Sequence, residues 1–185
     1  MTSGTKPCLT GSVAVVTGSS RGIGYGIATA LAKLGANVVI TAKNAERLTA
    51  AAHEPSVHGP ACEGMACNVT RLSAVDALAT HVRHKYRHVD ILVNNAGIGG
   101  PASLLQDLAP ENWDDIFNTN VRGVFYMVRA FVPLMIASGS GHIINISSLA
   151  VRTLYPAVQL IPHLSGRSMD SRIPWPKSCA GGTFV

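Results

Sequence analysis

The feature that most constrains this chain is a short apolar run that leads directly into a glycine-rich loop. Residues 13–17 are apolar and end at Gly18, which is typical of a buried parallel strand. After Ile23 the apolar residues recur at helical spacing, at Ile27, Leu31 and Leu34. Glycines between a strand and a helix allow a tight turn and let the backbone approach a pyrophosphate at the helix N-terminus. A plain glycine turn is the alternative, and the strand–loop–helix context disfavours it.

Strand and helix patterns continue to alternate along the chain. The sequence predicts further strands at residues 38–40, 91–93 and 143–146, and helices over residues 71–86 and 113–136. Such alternation is typical of an α/β fold with a parallel sheet covered on both faces. We therefore expect a doubly wound parallel Rossmann sheet, truncated after its fifth strand.

The alternation stops near Ala150. Residues 154–185 contain four prolines and a glycine pair but no helical or strand period. A doubly wound fold needs another long helix here, and Pro162 and Pro174 would break one. The sequence thus predicts a dinucleotide-binding domain at residues 1–150 and an aberrant, disordered tail at residues 151–185.

The formal charge of +5 narrows the ligand classes. The basic residues are scattered rather than clustered, which favours a phosphorylated cofactor over nucleic acid. No apolar run reaches the length of a membrane span, and no signal pattern opens the chain. We expect a cytoplasmic protein that binds neither membrane nor nucleic acid.

Four motifs in order carry a resemblance to a known family. They are the T-G-x-x-x-G-x-G loop at residues 17–24, Asn-Asn-Ala-Gly at 94–97, Asn120, and Ser148 after the last predicted strand. Over about residues 10 to 150 the chain resembles the short-chain dehydrogenase/reductase family. Residues 20–24 and 68–70 suggest the 3-oxoacyl-[acyl-carrier-protein] reductases as the closest branch.

The resemblance implies hydride transfer between a nicotinamide cofactor and a carbonyl substrate. Ser148 would hydrogen-bond the substrate oxygen, and Asn120 would hold a water in a proton relay. The residues implied to bind cofactor are Gly18, Ser20, Arg21, Gly22, Ile23, Gly24, Lys43, Asn68, Asn94, Ala96 and Gly97. Each polar residue also has a structural interpretation: Ser148 as a strand end, Asn120 as a helix residue bonded to local backbone, and Asn94 as a turn residue.

The end of the second strand bears on which cofactor binds. It reads Ile40-Thr41-Ala42-Lys43, with no Asp or Glu to bond a ribose 2′-hydroxyl. Lys43 and Arg21 could instead meet a 2′-phosphate, so the sequence predicts NADP rather than NAD. A merely solvated Lys43 is the alternative.

Three histidines at positions 81, 84 and 88 lie along one predicted helix and could suggest a metal site. Their neighbours Arg83, Lys85 and Arg87 favour a solvated helix face instead. We predict no metal site, since no other residues supply ligands.

The family resemblance also requires Tyr-x-x-x-Lys, with the tyrosine thirteen residues after the serine. Those positions hold Ile161 and Ser165. Tyr155 comes too early and is followed four residues later by Gln159. The pair matters because a nearby lysine lowers the pKa of a tyrosine, which is otherwise about 10. Without the pair we expect an inactive reductase with impaired assembly into the family's homotetramer, or a non-catalytic nucleotide-binding or interaction protein.

A shifted reading frame would account for the missing pair. Codons formed from the third base of one residue and the first two of the next must encode glycine across Met169-Asp170 and alanine across Trp175-Pro176. Counted from the lysine at 165, the family resemblance places glycine and alanine at 170 and 176. Free codon choice also permits tyrosine at 161 and lysine at 165. A genuine alternative C-terminus is the competing hypothesis.

Overall fold

The computed structural model describes residues 8–53, 62–101 and 103–148. The predicted tail at 151–185 lies outside the described residues, as do positions 155, 161 and 165. The described chain alternates strand and helix, as the sequence predicts.

Five strands and the helices between them make up the described part of the fold. The strands are β1 (Val13–Thr17), β2 (Asn37–Ala42), β3 (Cys62–Ala66), β4 (Ile91–Asn94) and β5 (His142–Asn145). The α-helices are α1 (Gly22–Lys33), α2 (Ala45–His53), α3 (Leu72–Tyr86), α4 (Pro110–Phe117) and α5 (Gly123–Ser138). A 3₁₀ turn at Leu105–Asp107 precedes α4, and a π-helical turn at Asn118–Arg122 joins α4 to α5.

All strand pairs are parallel, and the sheet order is β3-β2-β1-β4-β5. The chain moves outward from β1 to β3 and then returns to the other side of β1 to form β4. This reversal between β1 and β4 is the position where doubly wound sheets bind ligands, at the carboxyl ends of the strands. The prediction of a doubly wound parallel sheet is confirmed.

The central strands are buried because both faces of the sheet are covered. On one face Val15 and Leu92 pack with residues of α3 and α5, among them Leu78 and Phe131. On the other face a second cluster packs α1 and α2 against β1, β2 and β4; its buried members include Ala14, Val16, Ala28, Val38, Ile40 and Leu48. Continuous apolar strands are what a sheet buried on both faces requires.

Asp90 holds together the amino ends of three strands. Its Oδ2 accepts a hydrogen bond of 2.7 Å from the Val13 backbone N–H, and its backbone N–H donates to the Val13 carbonyl at 2.9 Å. Its carbonyl accepts from the His142 N–H at 2.7 Å. One residue thereby sets the starting register of β1, β4 and β5.

The helical stretch from Pro110 to Ser138 is continuous over 29 residues, and by length and composition alone it could cross a membrane. Arg122 and Arg129 interrupt its apolar sequence. Phe131 and Met135 are fully buried against the sheet. We therefore interpret α5 as a core helix of a layered α/β domain.

The histidine-bearing face of α3 is largely exposed, and it forms ion pairs with β3. His81 Nε2 lies 2.9 Å from Glu63 Oε1 on β3, and Lys85 pairs with the other oxygen of the same carboxylate. Partial burial would raise the pKa of Glu63, but hydrogen bonds from Lys85 and His81 outweigh it and lower that pKa. The pairing ties the outer strand β3 to α3.

Candidate cofactor and active site

The glycine loop between β1 and α1 needs glycine at two positions for its backbone conformation. Gly18 and Gly22 adopt φ of +63° and +61°, in the left-handed region. A side chain at Gly22 would meet nothing within 4 Å, so only conformation demands glycine there. At Gly18 a Cβ would also lie 2.9 Å from the Ala96 Cα, so close packing requires glycine as well.

Gly24 is required by packing instead. A Cβ there would lie 2.3 Å from Asn95 Nδ2 and 2.8 Å from the Gly18 carbonyl oxygen. The first turn of α1 thus rests directly on the loop and on the end of β4. At the N-cap, Arg21 makes no side-chain hydrogen bond to the helix. This helix terminus therefore carries no side-chain cap, and its N–H groups can serve an anion.

Asn95 joins the two halves of the site, and sequence reasoning did not single it out. Its Nδ2 donates to the carbonyls of Thr17 at 2.8 Å and Gly18 at 3.1 Å. In return, the Thr17 hydroxyl oxygen accepts from the backbone N–H groups of Asn95 and Ala96, both at 2.9 Å. The only sequence signal was its position within the 94–97 motif, which did not separate it from Asn94.

A second set of bonds ties the loop to β2. The Ser19 hydroxyl donates to the Val16 carbonyl at 2.6 Å and accepts from the Thr41 N–H at 2.9 Å. The Ser19 N–H donates to the Thr41 carbonyl at 3.0 Å. Ser20 is therefore held beside the end of β2. Lys43, two residues beyond Thr41, is exposed at the same edge.

Asn94 lies inside the sheet rather than on its surface. The residue is 5% exposed, and its Nδ2 donates to Asn145 Oδ1 on β5 at 2.9 Å. Its Oδ1 accepts no hydrogen bond from any residue that the structure describes. This side chain therefore couples the ends of β4 and β5, and the neighbouring Ala96 and Gly97 bring backbone to the crevice.

Asn120 holds the loop that follows β4. Its Oδ1 accepts from the Ile98 N–H and its Nδ2 donates to the Ile98 carbonyl, both at 2.9 Å. A Cβ on Gly97 would lie 3.3 Å from the same Oδ1, so the loop passes close to the amide. Asn120 sits in the π-helical turn, a distortion that is frequent at functional sites.

Ser148 and Asn68 lie at the carboxyl ends of the two outer strands, β5 and β3. Ser148 is exposed and lies three residues after the end of β5. Asn68 lies two residues after β3, and its Oδ1 accepts from the Thr70 N–H at 3.1 Å and the Thr70 hydroxyl at 2.9 Å. Asn68 and Ser148 thus follow the carboxyl ends of strands, Asn94 ends β4, and Asn120 joins the same edge through its bonds to Ile98. Positions 161 and 165 lie outside the described residues.

The charge at this edge is positive. Arg21 and Lys43 are exposed, and the N-terminus of α1 adds a partial positive charge. Within the described segments, no group of three His, Cys, Asp or Glu side chains could hold a metal ion. The arrangement suits an anionic ligand.

A parallel sheet that reverses its strand order beside an uncapped, glycine-lined helix N-terminus defines a dinucleotide-binding protein of the Rossmann class. Comparison with known proteins gives the family. Residues 12–160 match the model of the short chain dehydrogenase family. The chain belongs to this family.

Two curated relatives illustrate the similarity. A gluconate 5-dehydrogenase from Gluconobacter oxydans is 37% identical over 150 residues, covering 81% of this chain and 58% of the relative. A 3beta-hydroxysteroid dehydrogenase from Mediterraneibacter gnavus is 37% identical over 145 residues, covering 78% of this chain and 52% of the relative. The chain therefore spans little more than half the length of these relatives.

Two solved structures share the fold. A metagenomic short-chain oxidoreductase in complex with NADP has a TM-score of 0.79 at 42% identity, covering 85% of this chain and 71% of that one. A 3-ketoacyl-(acyl-carrier-protein) reductase from Brucella melitensis complexed with NADH has a TM-score of 0.80 at 34% identity, covering 85% and 65%.

Proposed function

We propose that this chain carries the cofactor-binding part of an NADPH-dependent short-chain reductase. We also propose that this chain does not catalyse the reduction, because it lacks the tyrosine and lysine. The observation that carries the proposal is the glycine loop: three glycines with a conformational or steric need, tied by Asn95 to the end of β4. The 42% identical structure holds NADP, which supports the choice of cofactor.

The residues fit a dinucleotide. A Cβ on Gly24 would fill the space against Asn95, and the start of α1 has no side-chain cap. Gly18, Gly22, Ile23 and the α1 terminus would hold the pyrophosphate, and Ser20 would face the adenosine ribose beside the end of β2. Asn68, Ala96 and Gly97 would line the adenosine end, and a bound NADPH supplies the hydride for carbonyl reduction.

Ser148 would donate a hydrogen bond to the substrate oxygen, where negative charge develops. Asn120 keeps the Gly97–Ile98 loop in place through both of its amide atoms. Neither residue can replace a tyrosine acid near neutral pH, and positions 161 and 165 hold isoleucine and serine. The substrate class we favour is a 3-oxoacyl thioester, supported by the similar 3-ketoacyl-(acyl-carrier-protein) reductase.

The same absence of tyrosine and lysine favours a second function for the chain as written. A non-catalytic nucleotide-binding protein needs the glycine loop and Asn95 but neither missing residue. We propose a cytoplasmic location, impaired assembly into a homotetramer, and no binding to nucleic acid or membrane.

The test is to titrate the purified chain with NADPH and with NADH and to measure binding by the change in cofactor fluorescence. Tighter binding of NADPH supports the proposal, and tighter binding of NADH contradicts it. Adding an acetoacetyl thioester should then give no oxidation of NADPH. Turnover at a rate normal for such a reductase would refute the inactive state.

The reading-frame hypothesis has a separate test in the DNA. Reading from codon 150 in the frame that begins on third bases should give tyrosine at 161 and lysine at 165. A stop codon before position 176, or the absence of either codon, would show that the tail is a genuine alternative end.

A further inference from the structure

A surface cavity lies beside the glycine loop, on the side away from β4. Its volume is about 320 Å³, and it is lined by Ser20, Tyr25, Arg47, Ala50 and Ala51. Two of these residues belong to the loop and first turn of α1, and three belong to α2. The cavity therefore lies between the start of α1 and the first two turns of α2.

Both walls of the cavity are fixed relative to the end of β2. Ser20 follows Ser19, whose hydroxyl and N–H bond the backbone of Thr41. Arg47 is in the first turn of α2, where its N–H donates to Asn44 Oδ1 at 2.8 Å, two residues after β2 ends. In dinucleotide folds the adenosine ribose lies at the end of this strand, and an arginine nearby accommodates a 2′-phosphate.

Arg47 is the one charged side chain among the described residues that line the cavity. Neither an aspartate nor a glutamate lines it, and Arg47 forms no ion pair with any residue in the described segments. Glu46 is adjacent to Arg47 in sequence, but neighbouring helix residues point in different directions. The basic residues expected from the sequence to meet a 2′-phosphate, Lys43 and Arg21, are not among the lining residues.

We propose that Arg47, together with the Ser20 hydroxyl, binds the 2′-phosphate of NADP(H) and sets the preference for the phosphorylated cofactor. This inference rests on the proposed function. A planar guanidinium can donate two parallel hydrogen bonds to a phosphate, whereas the Lys43 ammonium acts as a point charge. A short hydroxyl on the opposite wall supplies a further donor. Arg47 is thus a specificity-determining residue outside the glycine loop.

The experiment uses two probes that differ by one phosphate, adenosine 2′,5′-diphosphate and AMP. Each is titrated by calorimetry into the full chain and into the variants Arg47→Ala, Lys43→Ala and Arg83→Ala. Arg83 is exposed on α3, so Arg83→Ala removes the same charge at a position away from the cavity. Because Arg47 is exposed and alanine favours helices, the variant should fold, which circular dichroism checks.

We expect Arg47→Ala to weaken adenosine 2′,5′-diphosphate about tenfold to a hundredfold, as the loss of a charged hydrogen bond predicts. Binding of AMP should change less than about twofold, and Arg83→Ala should leave the ratio of the two affinities unchanged. The inference is overturned if the ratio of the two affinities persists in Arg47→Ala but falls in Lys43→Ala. That outcome would not contradict the proposed binding of NADPH. Wild-type chain that binds neither NADPH nor NADH overturns the proposed function itself.

Discussion

At the scale of single residues, the site depends on close contact between backbone and a few amides. A Cβ on Gly24 would collide with Asn95 Nδ2 and with the Gly18 carbonyl oxygen, and Asn95 in turn donates to the carbonyls of Thr17 and Gly18. Nothing in this arrangement leaves room for a methyl group. The loop geometry is therefore set by steric exclusion and by the partly buried side-chain amide of Asn95.

The variant Gly24→Ala should destabilise the fold by about 1–3 kcal/mol, the range for overpacking. Gly26 in the same helix is the matched control, because a Cβ there meets nothing within 4 Å. Gly26→Ala should stabilise by about 0.5–1 kcal/mol, since alanine favours helices. Urea unfolding measures both, and equal effects of the two substitutions would contradict the steric argument.

The variant Asn95→Ala should cost about 1–3 kcal/mol of unfolding free energy, because two carbonyls lose their amide donor. It should also weaken NADPH binding, since the loop is released from β4. Asn112→Ala is the control: Asn112 is exposed on α4, far along the chain from the loop. A loss of stability no larger than that of Asn112→Ala would show that the Asn95 bonds are replaced by water.

At the scale of elements, the helices pack one face against the sheet. In α5 the buried positions Gly123, Met127, Phe131 and Met135 recur every four residues. Phe125 on the other side is 56% exposed, and Ile136 is 43% exposed. The helix is thus apolar on both sides, although only one side packs against the described sheet.

Replacing Phe131 by alanine should destabilise the domain by about 3–5 kcal/mol, because the side chain is fully buried. Phe125→Ala removes the same atoms from an exposed position and should change stability by less than about 1 kcal/mol. Thermal unfolding of the two variants measures the loss of stability in each. A large loss for Phe125→Ala would mean that another surface covers this side of α5.

The pairing of β3 with α3 predicts a pH dependence. The pKa of Glu63 is lowered in the fold, so its contribution is present above the unfolded pKa of about 4.3 and is lost as pH falls through the folded value. The Glu63 carboxylate is only partly buried and both partners are half exposed, so the contribution at pH 7 is no more than about 1 kcal/mol. In urea unfolding, Glu63→Gln should be mildly destabilising at pH 7 and less destabilising at pH 3, where protonation begins to remove the carboxylate charge. An effect at pH 3 as large as that at pH 7 would contradict the ion-pair interpretation.

At the scale of the whole molecule, the described sheet has a well-covered centre and an open side. β1 is fully buried, whereas Ile144 on β5 is 43% exposed and Ile146 just beyond it is 37% exposed. The described residues place nothing over β5 on the side away from β4. We expect the part of the family's fold that carries the catalytic tyrosine and lysine to pack next to this strand.

Supplying the missing side chains alone should not restore the enzyme. The double variant Ile161→Tyr with Ser165→Lys keeps Pro162, and a proline inside a helix costs about 3 kcal/mol, so the two side chains would not lie one turn apart. A frame-corrected chain should oxidise NADPH with an acetoacetyl thioester, and Ser148→Ala in that chain should lower the rate by orders of magnitude with little effect on cofactor binding. Steady-state absorbance at the NADPH band measures both chains. Turnover by the double variant would show that the tail already forms the required helix.

The sequence predicted most of the described architecture because strongly periodic or fully buried segments identify themselves. It missed β3 and α2: Cys62–Ala66 is half exposed at the sheet edge and carries Glu63, so it lacks an apolar run. It placed one helix at 113–136, where the structure has α4 and α5 joined by the π-helical turn around Asn120. The π-helical turn shifts the apolar spacing by about one residue, which a search over a helix-length window does not resolve.

The sequence by itself determined the fold class, the glycine loop and the family, because strand burial and the conformational demands of glycine act locally. Only the tertiary structure decided how the asparagines divide their roles. Asn94 turns into the sheet toward Asn145, Asn95 bonds the glycine loop, and Asn120 bonds Ile98. It also brought Ser20 and Arg47 to one cavity. These partners are separated by 22 to 78 residues along the chain, as in the bonds of Asn120 and Asn95. Contacts at that separation follow from strand order and from the bonds that fix each strand end, neither of which a local pattern encodes.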